Sequence, residues 1–379
     1  MIDEKSLHDA GAGERHKGSD YLANMQDFEG EKTMTSSNVL AHEIAPIHPQ
    51  HDFTLIDNPE PNPNVGLFTI KAANEWIDDA RRKPMPCKLF GQLWWEHDVC
   101  VMFASANIGK SLLAMQIADS ISRGINTMGL EMEAQPQKVL YFDFEMSEKQ
   151  FQIRYMNKET GTIHHFSHNL LRVEINPDFV DYPNCDYDDF VKQSMIDAVL
   201  TSGAKVVIID NLTTFGGGTE KAKDARPLMQ WIHDFSRKND LSILVLAHTG
   251  KRSNTKPITM YDCFGSSMIQ NYCDGMFAIG ESAKGKSMRY IIELKQRTTN
   301  YEYKEDNVIE CEIVNDDNFT RFNFVGYGFE TEHLRKLDDN DRESKIALVK
   351  ELASKGMSVR RIHAETGYSV GSVQSYIKK

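Results

Sequence analysis

The sequence has no close pair of cysteines. Its six cysteines are scattered along 379 residues, at Cys87, Cys100, Cys185, Cys263, Cys273 and Cys311. Zinc sites and redox motifs that are built on cysteine need two of them within a few residues of each other, so the sequence argues against both classes. Scattered thiols are typical of a reducing compartment, and we therefore expect a cytoplasmic protein.

Long apolar runs and an excess of positive charge are also absent. No run reaches the ~18 apolar residues of a membrane-spanning helix, and the polar start "MIDEKSLHDA" is not typical of a signal peptide. We expect a soluble protein with no membrane association. The net charge of -12 excludes a chain that coats nucleic acid along its whole length, but it allows local basic patches.

Three segments of the chain differ in pattern. Residues 1–65 are polar, lack periodicity and end in "DNPEPNPNVG", which predicts a disordered arm and linker. In residues 66–330, β-rich runs alternate with helical segments, and "VCVMF", "KVLYFDF", "AKVVIID" and "LSILVLAH" are almost wholly apolar, like strands covered on both faces. This predicts an α/β domain with a mostly parallel sheet, and "NVIECEIVND" and "FTRFNFVGY" predict an antiparallel pair at its edge.

A small all-α domain is predicted over residues 343–379. Three short helices are separated by Gly356 and Gly367, and Ser358 and Ser369 stand where helix caps belong. A tight turn between the last two helices is the helix-turn-helix layout. From residue 335 to 379 there are ten Lys and Arg against six Asp and Glu, a local positive charge that attracts phosphate backbones.

The stretch "FASANIGKSLL" is close to the phosphate-loop motif G-x-x-x-x-G-K-[ST], with Ala104 at the first glycine. In such loops backbone N–H groups at a helix N-terminus surround phosphates, the lysine reaches the terminal ones, and the hydroxyl binds Mg²⁺. By itself the degenerate motif is also compatible with an ordinary strand–helix turn. The predicted nucleotide-binding residues are Ala104, Ser105, Ala106, Asn107, Ile108, Gly109, Lys110, Ser111 and Leu112.

Polar residues follow three further apolar strands. Glu145 is placed to deprotonate a water that attacks the γ-phosphate, or else is only the N-terminal acid of the next helix. Asp143, two residues earlier, points to the opposite face and is interpreted as structural. Asp210 ends a Walker B pattern and would hold Mg²⁺ together with Ser111. His248 would sense the γ-phosphate, although a lone histidine is usually structural.

The segment "IIELKQRTTN" places Lys295 and Arg297 just past another strand. Alternation puts both side chains on the same face. There they are suited to reach a phosphate across a subunit boundary, as an arginine finger does.

In order and spacing, "ASANIGKS", "YFDFEMS", "VVIIDN", "LVLAHTGK", "FGSSMIQNYCDGMFAI" and "ELKQR" resemble the RecA-type ATPases of the RepA and DnaB hexameric helicase group, over roughly residues 85–325. The resemblance implies a RecA-like P-loop core, ATP and Mg²⁺ as cofactors, and a hexamer. It makes Glu145 the catalytic base, His248 the sensor, and Lys295 and Arg297 the finger. Alanine is common at the Ala104 position in DnaB-type proteins. These proteins usually have glutamine at the His248 position, whereas RepA-type proteins have histidine.

The resemblance also implies DNA as a partner. Loops after the third and fourth strands would contact a single strand in the ring pore, through Lys221, Lys223, Lys251, Arg252 and Lys256; the alternative is that they are flexible surface loops. The C-terminal unit resembles the helix-turn-helix of resolvases and transposon regulators. Its candidate duplex contacts are Ser369, Ser372, Gln374, Ser375 and Lys378, and the alternative is a protein-docking module.

Two functional classes remain. The first is a hexameric ATP-driven helicase or translocase that serves replication or transfer of a plasmid or mobile element. The second is an ATP-switched DNA-binding regulator or loader that does not unwind. A P-loop kinase is a weaker third class, because kinases seldom combine a catalytic glutamate on the neighbouring strand with a K-x-R finger.

Overall fold

The computed structural model describes residues 64–65, 67–179, 186–212, 222–250, 252–264, 266–336 and 339–378. The predicted disordered arm therefore lies outside the described residues, apart from its last two. The chain divides into two units at Glu75. The first unit contains the antiparallel hairpin of β1 (Asn64–Val65) and β2 (Phe68–Thr69), and helix α1 (Ala73–Arg81) spans the division.

A nine-stranded sheet is the centre of the second unit. A short hairpin of β3 (Lys88–Phe90) and β4 (Trp94–Trp95) precedes it. The strands of the sheet are β5 (Val99–Ala104), β6 (Val139–Asp143), β7 (Leu170–Val173), β8 (Val206–Asp210), β9 (Ser242–His248), β10 (Gly275–Glu281), β11 (Met288–Gln296), β12 (Val308–Asp316) and β13 (Phe319–Gly328).

The strand order is β13-β12-β11-β10-β5-β9-β8-β6-β7. From β10 to β7 the neighbours are parallel, whereas β11, β12 and β13 are antiparallel additions at one edge. The predicted α/β class with a mostly parallel sheet is confirmed, as is the antiparallel edge pair. Strand β7 was not predicted from the sequence, because it is short and Arg172 interrupts its apolar run.

Helices cover both faces of the sheet. Leu113 of the first covering helix packs with Met102 in one apolar cluster, while Val199 and Ile232 pack with Val101 in the other. Neighbouring residues of β5 therefore face opposite clusters, which explains its wholly apolar sequence. No helix in the described ranges is long and apolar enough to cross a membrane. The helices are α2 (Lys110–Arg123), α3 (Glu148–Arg154), α4 (Tyr187–Ser202), α5 (Ala222–Asn239), α6 (Ser266–Tyr272) and α7 (Glu330–His333).

The three C-terminal helices form as the sequence predicts, although the first begins four residues earlier, and they are α8 (Asp339–Ser354), α9 (Val359–Thr366) and α10 (Val370–Lys378). Each contributes one fully buried residue, Val349, Ile362 and Val373, to a small core. Ser358 caps α9 by accepting a hydrogen bond from a backbone N–H, and Gly367 ends the helix at φ 70°.

The β12–β13 hairpin is fixed to α2 by the buried side chain of Gln116. Its amide oxygen accepts a hydrogen bond from the Phe322 N–H at 2.8 Å, and its amide nitrogen donates to the Phe322 carbonyl at 2.9 Å. The Phe322 ring lies against Gly109, where an added Cβ would come within 2.8 Å of the ring. Gly109 has φ 114°, so both its conformation and its surroundings require glycine.

Replacing Gln116 with methionine tests this attachment. Gln116→Met keeps the side-chain length but leaves the N–H and carbonyl of Phe322 unpaired. We expect the free energy of unfolding, measured by urea titration, to fall by about 1–3 kcal/mol. The control is Gln152→Met on the exposed side of α3, which should change stability little. Equal stability of both variants would show that apolar contacts alone hold the hairpin.

Candidate nucleotide site

The carboxyl ends of four neighbouring parallel strands form the candidate site. In the sheet these strands stand in the order β5-β9-β8-β6. The phosphate loop follows β5, His248 ends β9, Asp210 ends β8, and Glu145 follows β6. Parallel strands bring their carboxyl ends to one edge, where open α/β sheets bind ligands. The topology thus brings together the candidate residues that come from four separate motifs.

The phosphate loop connects β5 to α2 without requiring glycine at its first position. Ala104 is the last residue of β5, pairs with His248 across the sheet, and has no left-handed φ angle. An L-residue therefore fits there without backbone strain. Asn107, at φ 62°, and Gly109 make the turn into the helix. The loop geometry therefore explains why Ala104 can replace the first glycine of the phosphate-loop motif.

The side chain of Lys110 is buried at the centre of the site. Its Nζ lies 3.0 Å from His248 Nδ1 and 3.4 Å from the Ala104 carbonyl oxygen. Burial lowers the pKa of Lys110, and the charges of Asp210 and Glu145 oppose that shift. Burial and the Lys110 charge also lower the pKa of His248. With a neutral imidazole, Nδ1 can accept a hydrogen bond from the Lys110 ammonium group.

Asp210 is buried, and one of its carboxylate oxygens is unpaired. Oδ2 accepts a hydrogen bond from the Tyr141 hydroxyl at 2.7 Å, whereas Oδ1 has no partner among the described residues. Burial raises the pKa of Asp210 to about 6, and the nearby Ser111 hydroxyl and the Tyr141 hydrogen bond act in the opposite direction. An orphaned oxygen beside the Ser111 hydroxyl suits the hard oxygen donors that Mg²⁺ prefers.

The described residues contain no cluster of three His, Cys, Asp or Glu side chains that could hold a metal ion. Ser111 and Asp210 alone would not complete the shell of six oxygens around Mg²⁺. Mg²⁺ usually keeps several waters and shares its shell with substrate phosphates. The donor set therefore fits a cation that arrives with a nucleotide.

Glu145 is presented by a turn that Asp143 fixes. Asp143 Oδ1 accepts the backbone N–H groups of Glu145 and Met146, at 3.1 and 3.0 Å, and its Oδ2 pairs with Arg172 Nε at 2.9 Å. Asp143 is thus structural, in agreement with the interpretation of the sequence. Arg172 belongs to the unpredicted strand β7, so sequence reasoning missed it.

Asn211 is a second residue that sequence reasoning missed. Its amide nitrogen donates to Glu145 Oε1 and lies 3.2 Å from His248 Nε2. Glu145 Oε1 is 3.9 Å from the same imidazole nitrogen. Asn211 directly follows Asp210, and this position was the only feature of the sequence that could have identified Asn211 as a residue of the site.

A cleft of about 1050 Å³ opens beside these residues. Leu112 and Glu145 line its inner end, Arg154 lies on its α3 side, and Asn315 and Thr320 lie at the turn between β12 and β13. Ligand pockets for small molecules have volumes on the order of 300–1,000 Å³. The cleft can therefore hold the nucleoside part of a nucleotide whose phosphates lie on the loop.

Lys295 and Arg297 lie together, but away from the phosphate loop of the same chain. Both donate to carbonyl groups at the C-terminal end of α6: Lys295 Nζ to those of Gln270 and Cys273, and Arg297 Nη2 to that of Asn271. Positive side chains at this end of a helix are favoured by its dipole. The shared contacts show that the two side chains reach the same segment.

The position of Arg297 follows from the sheet register. Its side chain pairs with Asp274 at 3.1 Å, and the Asp274 N–H donates to the carbonyl of Val99, the first residue of β5. Ala104 ends the same strand five residues later, roughly 17 Å away at the usual rise per residue. Arg297, whose side chain is 45% exposed, is thus too far from the phosphate loop of its own chain to contact it.

The candidate DNA contacts differ in exposure. The Arg252 side chain is only 9% exposed and lies 3.8 Å from Asp262, which favours a role in stabilising its loop. Lys256 is exposed, as are Gln374, Ser375 and Lys378 on α10. The hydroxyl groups of Ser369 and Ser372 share a 2.8 Å hydrogen bond. Lys221 and Lys251 lie outside the described residues, and the side chain of Lys223 is not described.

Comparison with known protein families agrees with this geometry. Residues 69–254 match the family model of an AAA domain. The matched segment contains the phosphate loop, Glu145, Asp210 and His248, and it ends before Lys295. Together with the topology, the match confirms the predicted RecA-like P-loop core and supports an ATPase of the P-loop type. No curated protein matches the chain.

Exchange of Glu145 for glutamine tests the assigned base. Glu145→Gln keeps the hydrogen bonds to water but cannot take its proton, so ATP binding should persist while turnover falls about 100-fold or more. Lys110→Ala is the reference that should lose binding. Glu148→Gln, at an exposed glutamate three residues away, should leave turnover unchanged. Normal turnover in Glu145→Gln would show that another group is the base.

Proposed function

We propose that the protein is an ATP-hydrolysing, DNA-associated motor of the RecA type, a hexameric helicase or translocase that acts in replication or transfer of a plasmid or mobile element. The observation that carries the ATPase part is the meeting of Lys110, Asp210 and Glu145 at one edge of the sheet. The ring and the DNA association are supported by further features of the chain, taken in turn below.

Hydrolysis follows from the roles that these side chains can take. The backbone N–H groups of the loop and the Lys110 ammonium bind the phosphates. Ser111 and Asp210 would hold Mg²⁺, which neutralises phosphate charge when bound. The Glu145 carboxylate takes a proton from a water molecule, whose oxygen attacks the γ-phosphorus as the bond to the bridging oxygen breaks. Asn211 holds the Glu145 carboxylate beside His248.

A ring accounts for the separation between Arg297 and the phosphate loop. A side chain roughly 17 Å away along the sheet contributes nothing to the site of its own chain. On a neighbouring subunit it can face the loop, as trans-acting arginine fingers do. The exposed guanidinium, held at the sheet edge by Asp274, is available for that contact. We therefore assign Lys295 and Arg297 to the site of the next subunit.

DNA association is supported by two surfaces. The loop that follows β9 exposes Lys256 at the same edge of the sheet as the nucleotide site. The C-terminal helices expose Gln374, Ser375 and Lys378 along α10, in the layout that places a helix in the major groove. The first surface suits a single strand, and the second suits a duplex.

The same C-terminal surface favours one alternative. A separate basic unit with its own small core can bind duplex DNA while the ATPase acts as a switch. The protein would then regulate or load other proteins without unwinding.

ATP turnover with different DNAs distinguishes the two functions. A motor should be stimulated by single-stranded DNA and should displace a strand, whereas a switch should respond to duplex only. Deletion of residues 343–379 should leave single-strand stimulation of a motor intact but weaken duplex binding. Turnover that no DNA affects would contradict both forms of the proposal.

A mixing experiment tests the shared site. Arg297→Ala should bind ATP but lose about 1,000-fold in turnover, as removal of a finger does. Mixed with Glu145→Gln, which is also inactive, it should regain partial turnover, because some interfaces then combine an intact Glu145 with an intact Arg297.

Two further measurements accompany the mixture. Wild-type specific activity should rise with protein concentration as rings assemble, and Lys336→Ala, at an exposed lysine of the same second unit, should behave as wild type. If the mixture stays inactive and activity is independent of concentration, Arg297 does not act in trans.

A further inference from the structure

The loop between β9 and α6 is firmly attached at its base. The Phe264 N–H donates to the His248 carbonyl at 2.9 Å, and the Gly250 N–H donates to the Asp262 carbonyl at 3.2 Å. An isolated β-bridge joins residues 249 and 263. The two ends of the loop are thus paired directly beside the histidine of the nucleotide site.

The middle of the loop is also held in place. The Ile258 N–H donates to Glu330 Oε1 at 2.7 Å, and Glu330 is a buried residue. Arg252 Nη2 donates to the Lys256 carbonyl at 2.5 Å. The Arg252 side chain is thus held against the backbone of its own loop and is only 9% exposed. The segment between Ile258 and the paired ends of the loop can therefore present its side chains to solvent.

Tyr261 is the side chain that this part of the loop presents. It lies in a short 3-10 helix, Met260–Asp262, whose capping is reciprocal: the Asp262 N–H donates to the Thr259 carbonyl at 3.0 Å, and Asp262 Oδ2 accepts the Thr259 N–H at 2.7 Å. The ring is 76% exposed, more than any other described aromatic side chain. A rigid backbone thus carries an uncovered aromatic ring.

We propose that Tyr261 stacks on a base of single-stranded DNA. The inference rests on the DNA-associated function proposed above and names the contact that its loop makes. Aromatic rings bind single strands by stacking, because every base has a π-face, while basic groups follow the backbone. Lys256 supplies such a group on the same loop. Since the backbone at Tyr261 is already ordered, stacking costs little further conformational entropy.

The location of the Tyr261 side chain connects nucleobase binding to ATP hydrolysis. Tyr261 is next to Asp262, whose carbonyl accepts a hydrogen bond from the Gly250 N–H where the two ends of the loop meet. At the same place the His248 carbonyl accepts a hydrogen bond from the Phe264 N–H. The His248 imidazole contacts Lys110. A nucleobase stacked on Tyr261 therefore contacts a loop that is hydrogen-bonded to His248, the proposed sensor. Stimulation of ATP turnover by a single strand should depend on the ring.

Binding of a fluorescein-labelled oligothymidylate, in the presence of Mg²⁺ and a non-hydrolysable ATP analogue, tests the inference. Tyr261→Ala and Tyr261→Leu should each weaken binding at least about fivefold, whereas Tyr261→Phe and Tyr261→Trp should bind as wild type does. Leucine is apolar but not aromatic, so this series separates stacking from general apolar contact.

Two controls identify the chemistry of the contact. On an abasic strand of equal length, Tyr261→Ala and wild type should bind equally, because only the bases are missing. Lys256→Ala should reduce the salt dependence of binding, while Tyr261→Ala should not change it. Tyr187→Ala removes a 51%-exposed tyrosine at the start of α4 and should have no effect.

The outcomes separate the inference from the function on which it rests. If the wild type does not bind the strand, both fail. If the wild type binds and Tyr261→Ala binds equally well, the stacking role is wrong and the proposed function stands. Equal losses on the abasic strand would overturn stacking in favour of a backbone contact. Loss of assembly in Tyr261→Ala would assign the ring to a subunit interface instead.

Discussion

The buried ammonium group of Lys110 is the interaction on which the arrangement of the site depends. A buried charge must be hydrogen-bonded, and here its partners are the last carbonyl of β5 and Nδ1 of His248. The Asn211 amide nitrogen, a second donor, lies 3.2 Å from Nε2 of the same ring, and a neutral imidazole accepts a hydrogen bond at only one of its two nitrogens. A phosphate oxygen on the loop would compete with Nδ1 for the same ammonium. His248 therefore lies between the ammonium group that would bind phosphate and the Asn211–Glu145 pair.

A buried ion pair between Asp143 and Arg172 determines where Glu145 lies. Asp143 has one oxygen on the backbone of the Glu145 turn and the other on Arg172. The Glu145 carboxylate is consequently positioned by the edge strand β7 as well as by its own strand. Loss of Arg172 would leave the fully buried Asp143 carboxylate without its ionic partner, which is more costly than loss of an exposed pair. The edge of the sheet is thus part of the site.

The sequence predicts the central strands and most of the site because both leave local signals. Apolar runs followed by Lys110, Asp210 or Glu145 can be identified within ten residues. Gln116 and Arg172 leave no such signal, because each contacts a residue far away in the sequence. The polarity of Arg172 also interrupts the apolar run of β7 and so hides that strand. Arg252 is the reverse case: its charge and loop position predict a DNA contact, and only the fold shows that Asp262 and the Lys256 carbonyl lie beside it.

The loop that carries Tyr261 has connections to both halves of the proposed composite site. At its base it is hydrogen-bonded to His248, which belongs to the nucleotide site of its own chain. Beyond the loop comes α6, whose C-terminal carbonyls are bound by Lys295 and Arg297. A displacement of this loop therefore acts on the sensor of one site and, through α6, on the residues assigned to the next. In the proposed ring, a DNA strand that moved the loop would act on two nucleotide sites at once, and the hydrolysis steps of neighbouring subunits would be coupled through the fold.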